Sequence, residues 1–299
     1  MIINITKYAI IYSVTNSDIT TNMKNESNNT SYDNLIGKLS RVLFIPHGGG
    51  PLPLFGDKGH QAMVSFLKNI TPRLGTPSAI LVISAHWEEE QVTITSGKSP
   101  ALIYDYSGFS AESYTIKYPA LGDPELANEV YNLLKDSGIK AKLDNSRGFD
   151  HGVFVPLKIM YPNANIPCIQ LSLLNSLDPK AHIKIGKALS SLRSKNVLII
   201  GSGFSFHNMK AFFDKEITPD HHNQAFEHWL IDTCTNNALS ANERKNKLEE
   251  WTNAPFARYC HPREEHLLPL HVCYGLCESK AELVFNDKIF GKNTSAFLW

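Results

Sequence analysis

The chain has 299 residues, 42% of them hydrophobic, and balances 29 Lys+Arg against 29 Asp+Glu for a formal net charge of zero. This is enough apolar content for a large core, and the balance gives no electrostatic pull toward nucleic acid or an anionic membrane. Nucleic acid is therefore not an expected partner, and no apolar run is long enough to span a bilayer.

Residues 1–40 are dominated by an Asn/Ser/Thr-rich tract, "TNSDITTNMKNESNNTSYDN". They are expected to form a polar, disordered N-terminal extension, with residues 41–299 as one domain. "RVLFI" (41–45) predicts a buried strand. "QAMVSFLKNI" (61–70) spaces Met63, Phe66, Leu67 and Ile70 as a helix does. "SAILVIS" (78–84) is continuously apolar, as in a strand covered on both faces. A helix is predicted over Glu125–Ser137, opened by Pro124 and closed by Gly138. "IPCIQLS" (166–172) predicts a strand, and Asp178-Pro179 caps the next helix. "NVLIIG" (196–201) predicts a strand and 221–237 a helix. A last helix is placed near Arg263, with Pro269 in its early turns, and "AELVF" (281–285) completes the sheet. This alternation predicts an α/β fold, a single domain whose central, mostly parallel or mixed sheet carries helices on both faces. The five cysteines lack C-x-x-C spacing, which fits a reducing compartment and a cytoplasmic location.

The placement of the histidines points to chemistry. His47 lies two residues beyond the first strand, in "FIPHGGGPLP". His86 follows the second strand in "VISAHWEE", and His207 follows the run 197–200 in "LIIGSGFSFHN". Open α/β sheets bind ligands beyond the carboxyl ends of their strands, so three imidazoles converge where such a fold keeps its site. Neutral imidazoles suit zinc or iron better than calcium or magnesium. The glycines after His47 would let the backbone pass close to a metal and its substrate. A phosphate loop is disfavoured, because G-x-G-x-x-G and Gly-Lys-Ser/Thr are both missing. "ARYCHPREEHLLPLH" (257–271) adds His261, Glu264, Glu265, His266 and His271, among which spacing alone does not choose. His60, His182 and His228 have no convergent partners in the sequence and are taken as structural.

Six motifs, "PHGGGP", "SAHWE", "DHGVFVPLKIMYP", "PCIQLSL", "GSGFSFHN" and "HPREEHLLPLH", in this order resemble the class III (LigB-type) extradiol ring-cleavage dioxygenases, nearest the DOPA 4,5-dioxygenase-like branch. The resemblance runs from about residue 42 to at least 285. It implies a LigB-like catalytic domain over 41–299. It further implies an Fe(II) enzyme that opens a catechol ring with O2 to a muconic semialdehyde, Zn2+ being an occupant of the same site in purified protein. His47, His86 and His266 are the implied metal ligands, with Glu265 the neighbouring alternative to His266. His207 is implied as acid/base catalyst or fourth ligand, and His151 as a catalytic residue near substrate and oxygen. Arg258 and Arg263 are candidates to bind a substrate carboxylate, or to pair with Glu264 or Glu265. Tyr104, Tyr106 and Tyr114 are candidates to line an aromatic pocket. Two other readings use the same imidazoles, a zinc hydrolase and a non-catalytic metal-binding or interaction protein.

Overall fold

The buried apolar runs pair into one sheet of 8 strands. The computed structural model describes residues 39–214 and 220–299, and Ser40–Trp299 pack as one compact unit. Apart from Leu39 and Ser40, the expected N-terminal extension lies outside the described residues.

The strands are β1 (Val42–Pro46), β2 (Ala79–Glu89), β3 (Val92–Thr95), β4 (Ala141–Asp144), β5 (Cys168–Leu174), β6 (Val197–Gly203), β7 (Glu282–Ile289) and β8 (Lys292–Leu298), in the spatial order β4-β3-β5-β2-β6-β1-β8-β7. The central β5-β2-β6-β1 block is parallel. β3 joins β5 antiparallel, and the β7–β8 hairpin joins β1 antiparallel, so the sheet is mixed.

Alternate residues of the central strands enter two cores, which explains the unbroken apolar runs. One face buries Val42, Phe44, Leu81, Ile83 and Ile199. It packs under helices α2 (Pro124–Asp136), α4 (Pro179–Ala188), α5 (His221–Thr235) and α6 (Leu268–Cys277). The other face buries Leu43, Ile45, Ile80, Val82 and Ile200 against α1 (Gln61–Leu74) and α3 (His151–Met160). The Asp-Pro starts of α2 and α4 act as expected. Asp123 accepts the Leu126 N–H, and Asp178 accepts those of Lys180 and Ala181.

Several elements differ from expectation. α3 carries no polar/apolar period, because nine of its residues are buried on all sides. α6 begins at Leu268 instead of near Arg263, with Pro269 in its first turn, where the missing N–H costs nothing. Residues 263–267 form turns. β7 is longer than "AELVF", and β8 inserts between it and β1.

Register fixes the functional end of the sheet. Pro46 lies opposite Gly203 and Ser84 opposite Ser202, so the carboxyl ends of β1, β6 and β2 stand side by side. Among the described residues, no helix is long and apolar enough to cross a membrane.

Candidate metal centre

His47 is the first residue after β1, and its N–H continues the ladder to the Gly203 carbonyl at 3.2 Å. The loop after it turns through left-handed Gly48 (φ 84°) and Gly50 (φ 55°), where a side chain is strained. A Cβ on Gly48 would stand 2.5 Å from Pro53 Cγ. The intervening Gly49 donates its N–H to His60 Nε2 at 2.9 Å, and His60 Nδ1 donates to Asp57 Oδ2 at 2.8 Å. His60, without a partner in sequence spacing, is the brace of the glycine loop.

His86 lies within β2, where its register against β5 slips between Ile83 and Glu88. Such a bulge re-aims side chains at the rim of a sheet. His151 opens α3, and Asp105 Oδ1 accepts both its backbone N–H and its Nδ1–H, each at 2.9 Å. His207 follows β6, tied by its N–H to the Cys260 carbonyl at 2.9 Å. His266 ends the turn before α6, and its carbonyl accepts the Phe204 N–H at 2.8 Å.

The structure thus brings His47, His86, His151, His207 and His266 together. Ring centroids of His47 and His86 are 4.7 Å apart, and that of His266 is 5.2 and 5.0 Å from them. The donor atoms of His47, His86 and His151 lie within 4.8 Å of one another, as do those of His207, Glu265 and His266. His207 stacks on His266 with centroids 3.3 Å apart.

Hydrogen bonding assigns the tautomers. The Ser202 hydroxyl donates to the Gly152 carbonyl, so toward His47 Nδ1 at 3.2 Å it acts as acceptor. The proton of His47 is therefore on Nδ1 and its lone pair on Nε2. His86 turns Nδ1 toward Asp105 Oδ2 at 3.6 Å, a contact longer than a hydrogen bond. His266 Nδ1 donates to Glu265 Oε1 at 2.9 Å. The Nε2 atoms of His47 and His86 face each other at 3.0 Å. Buried neutral imidazoles whose nitrogens converge this closely are the donor set a borderline transition metal takes, so the residues fit such an ion. Backing carboxylates are also what metal-binding imidazoles require.

Electrostatics agree. Burial, then the neighbouring imidazoles, holds His47 and His86 well below the ordinary histidine value. Burial, then His207, brings His266 down to about 3. All three are neutral donors at pH 7. Burial raises Glu265, but hydrogen bonds from His207 and His266 more than offset it and keep the carboxylate ionised.

Beside the imidazoles lies a cavity of about 430 Å³. Its other walls are the glycine loop, Leu52, Tyr106, Met209 and the phenylalanines Phe109, Phe204, Phe212, Phe213 and Phe290. Arg258 is not at this cavity, which corrects the expectation of a substrate-binding arginine. It projects from the short helix Ala257–Cys260, pairs with Glu264 at 2.5 Å and covers the Trp251 ring at 4.9 Å. Arg263 is likewise committed, through two bonds of 2.5 and 2.6 Å to Glu88. Of the three tyrosines, Tyr106 lines the cavity, with its hydroxyl bound to the Ser113 carbonyl at 2.6 Å. Glu265 faces two Nδ1 atoms and Arg263. Asp105 and Asp57 escaped sequence reasoning, because each lies in a loop without periodicity or motif, and Ser202, although inside "GSGFSFHN", was not singled out.

Comparison with known proteins agrees with this geometry. Residues 42–296 match the family model described as the catalytic LigB subunit of aromatic ring-opening dioxygenase. A protein of Hapsidospora irregularis named dioxygenase tasH is 38% identical over 277 residues, 87% of this chain and 86% of that protein. The 4,5-DOPA dioxygenase extradiol of Beta vulgaris is 41% identical over 256 residues, 83% of this chain and 92% of that protein. The crystal structure of an uncharacterised Escherichia coli K12 protein superimposes with a TM-score of 0.71 at 25% identity, covering 87% of this chain and 99% of that one. The chain belongs to the LigB family of aromatic ring-opening dioxygenases, in the branch of the 4,5-DOPA extradiol enzymes.

Proposed function

We propose that residues 41–299 form the catalytic domain of an Fe(II)-dependent dioxygenase that opens the ring of a catechol beside one hydroxyl, giving a muconic semialdehyde. The observation that carries this reading is the convergence of the His47 and His86 Nε2 atoms, 3.0 Å apart at the wall of an aromatic cavity. His47, His86 and His266 hold the metal. His151 also lies within donor reach of the first two, but it stands at the N-terminus of α3, whose positive end favours an anion over a cation. His266, next to the N-cap of α6, has the ionised Glu265 behind it to offset that helix end.

Bound Fe(II) supplies the one-electron chemistry that O2 needs to react with a closed-shell ring, and the positive charge that holds a catecholate. The chain supplies the proton handling. His207 accepts a catechol hydroxyl proton at Nε2 while Glu265, 3.4 Å from its Nδ1, stabilises the imidazolium. The same nitrogen returns the proton during ring opening. His151, fixed through Nδ1 by Asp105, directs Nε2 into the cavity to hydrogen-bond an oxygen of substrate or O2. The phenylalanine wall excludes water that would compete for these groups.

The test is oxygen uptake by metal-stripped protein reloaded with Fe(II) without air and then given an aerated catechol. A parallel sample carries Zn2+. Uptake and a yellow product with iron alone support the reading. A filled site that consumes no O2 with any catechol contradicts it, and returns the Zn2+ hydrolase and metal-binding readings to the front.

A further inference from the structure

Phenylalanine rings make up much of the cavity wall beside the imidazoles. Phe212 lies between Phe204 and Phe290, at centroid distances of 5.7 and 6.0 Å. Phe109 closes the side nearest Gly50, where a Cβ would come within 3.2 Å of its ring. At the mouth, Met209 is 53% exposed and Phe213 73% exposed. Both belong to the short helix Met209–Phe213 and line the cavity together with Phe212. Two large apolar side chains left in solvent at the edge of a cavity mark a surface that a ligand covers. Tyr106 adds no free polar group, because its hydroxyl is already bound to Ser113.

Among the described residues that line the cavity, none is Lys, Arg, Asp or Glu. The two arginines nearest His266 in sequence are spent on Glu264 and Glu88. A cavity of about 430 Å³ is well beyond what a bare catechol ring fills and lies within the usual range for larger organic ligands. L-DOPA carries a carboxylate and an ammonium on its side chain. Pressing both against phenylalanine rings strips their water and returns no ion pair. An uncharged apolar substituent would be stabilised by the same wall.

We propose that this chain takes catechols whose ring substituent is bulky, apolar and uncharged, seated between Phe109, Phe212, Phe290 and Met209, in preference to amino-acid catechols such as L-DOPA. The inference rests on the ring-opening reading for the chemistry, but the preference is a property of the wall and is measurable as binding.

The experiment is anaerobic calorimetry on the Fe(II)-loaded chain with 4-tert-butylcatechol and with L-DOPA. The neutral catechol is expected to bind at least about tenfold more tightly, the scale of a methylene or two in an apolar pocket. Met209→Arg places a cation on the exposed rim and is expected to narrow that ratio by at least about fivefold. Equal or tighter binding of L-DOPA by the wild-type chain overturns the proposal, as does failure of the neutral catechol to bind. Admitting air afterwards reports separately on the ring-opening reading. Tight binding of the neutral catechol without a yellow product leaves the preference standing and removes the proposed reaction.

Discussion

Asp105 holds His151 twice through one oxygen, Oδ1, which accepts the backbone N–H and the ring Nδ1–H at 2.9 Å each. Its other oxygen lies 3.6 Å from His86 Nδ1, so one carboxylate orients two of the five imidazoles. Asp105→Ala is expected to lower turnover by about 10–100-fold, the range for removing a carboxylate behind a metal-site histidine. Turnover and bound metal are measured together. Activity within twofold of wild type contradicts the role.

The glycine loop depends on His60 in a comparable way. Its Nε2 is the acceptor for Gly49 N–H, and the ring is fully buried. His60→Ala leaves that N–H unpaired, at a cost of about 1–3 kcal/mol, and frees the backbone beside His47. Turnover is expected to fall about tenfold, since small misplacements in a site are amplified in rate. His60→Gln, whose side-chain oxygen accepts the same N–H, should recover part of the loss. No difference between the two variants would remove the bracing role.

Gly203 serves a close approach of backbone to backbone. A Cβ there would lie 2.2 Å from the His266 carbonyl oxygen, which also accepts the Phe204 N–H. Gly203→Ala must push the His266 turn away from β6, with strain of about 1–3 kcal/mol. Metal content should fall along with thermal stability. A variant that keeps both shows that the turn has room to move.

Acid stability provides a check away from the centre. His182 Nδ1 donates to the Asp178 carbonyl at 2.7 Å and its Nε2 accepts the Leu174 N–H at 3.1 Å, so the buried ring is satisfied only when neutral. Burial lowers it from 6.5 to about 4. The unfolded chain therefore binds the proton first. The contribution of His182 is complete above pH 6.5 and is lost as pH falls from 6.5 toward 4, amounting to about 3 kcal/mol over that window. In urea titrations the stability gap between wild type and His182→Gln should narrow as pH drops through this range. A gap independent of pH contradicts the assignment.

The parts of the site that were legible in the sequence are those tied to sheet periodicity. β1, β2 and β6 are continuous apolar runs, so their ends were visible, and with them His47, His86 and His207. His266 was not separable by spacing from His261 or His271, because it sits in a turn held by a contact distant in sequence, the Phe204 N–H donating to the His266 carbonyl. Only the ordered motifs singled it out. Asp105 lies in a loop, and its partner is 46 residues away. α3 was missed for a different reason, since burial on every side erases the helical period. β8 was hidden by its polar residues: Lys292 is buried because it pairs with Asp220 at 2.7 Å, a contact no local pattern predicts.

The most direct measurement is the mass of the product and the O2 consumed when the Fe(II)-loaded chain turns over a catechol under 18O2. Ring opening predicts one O2 consumed per catechol and a product equal in composition to the catechol plus both oxygen atoms, with heavy oxygen in the product. A product lacking two hydrogens and carrying no heavy oxygen would be a quinone, and would contradict extradiol cleavage as the reaction of this site.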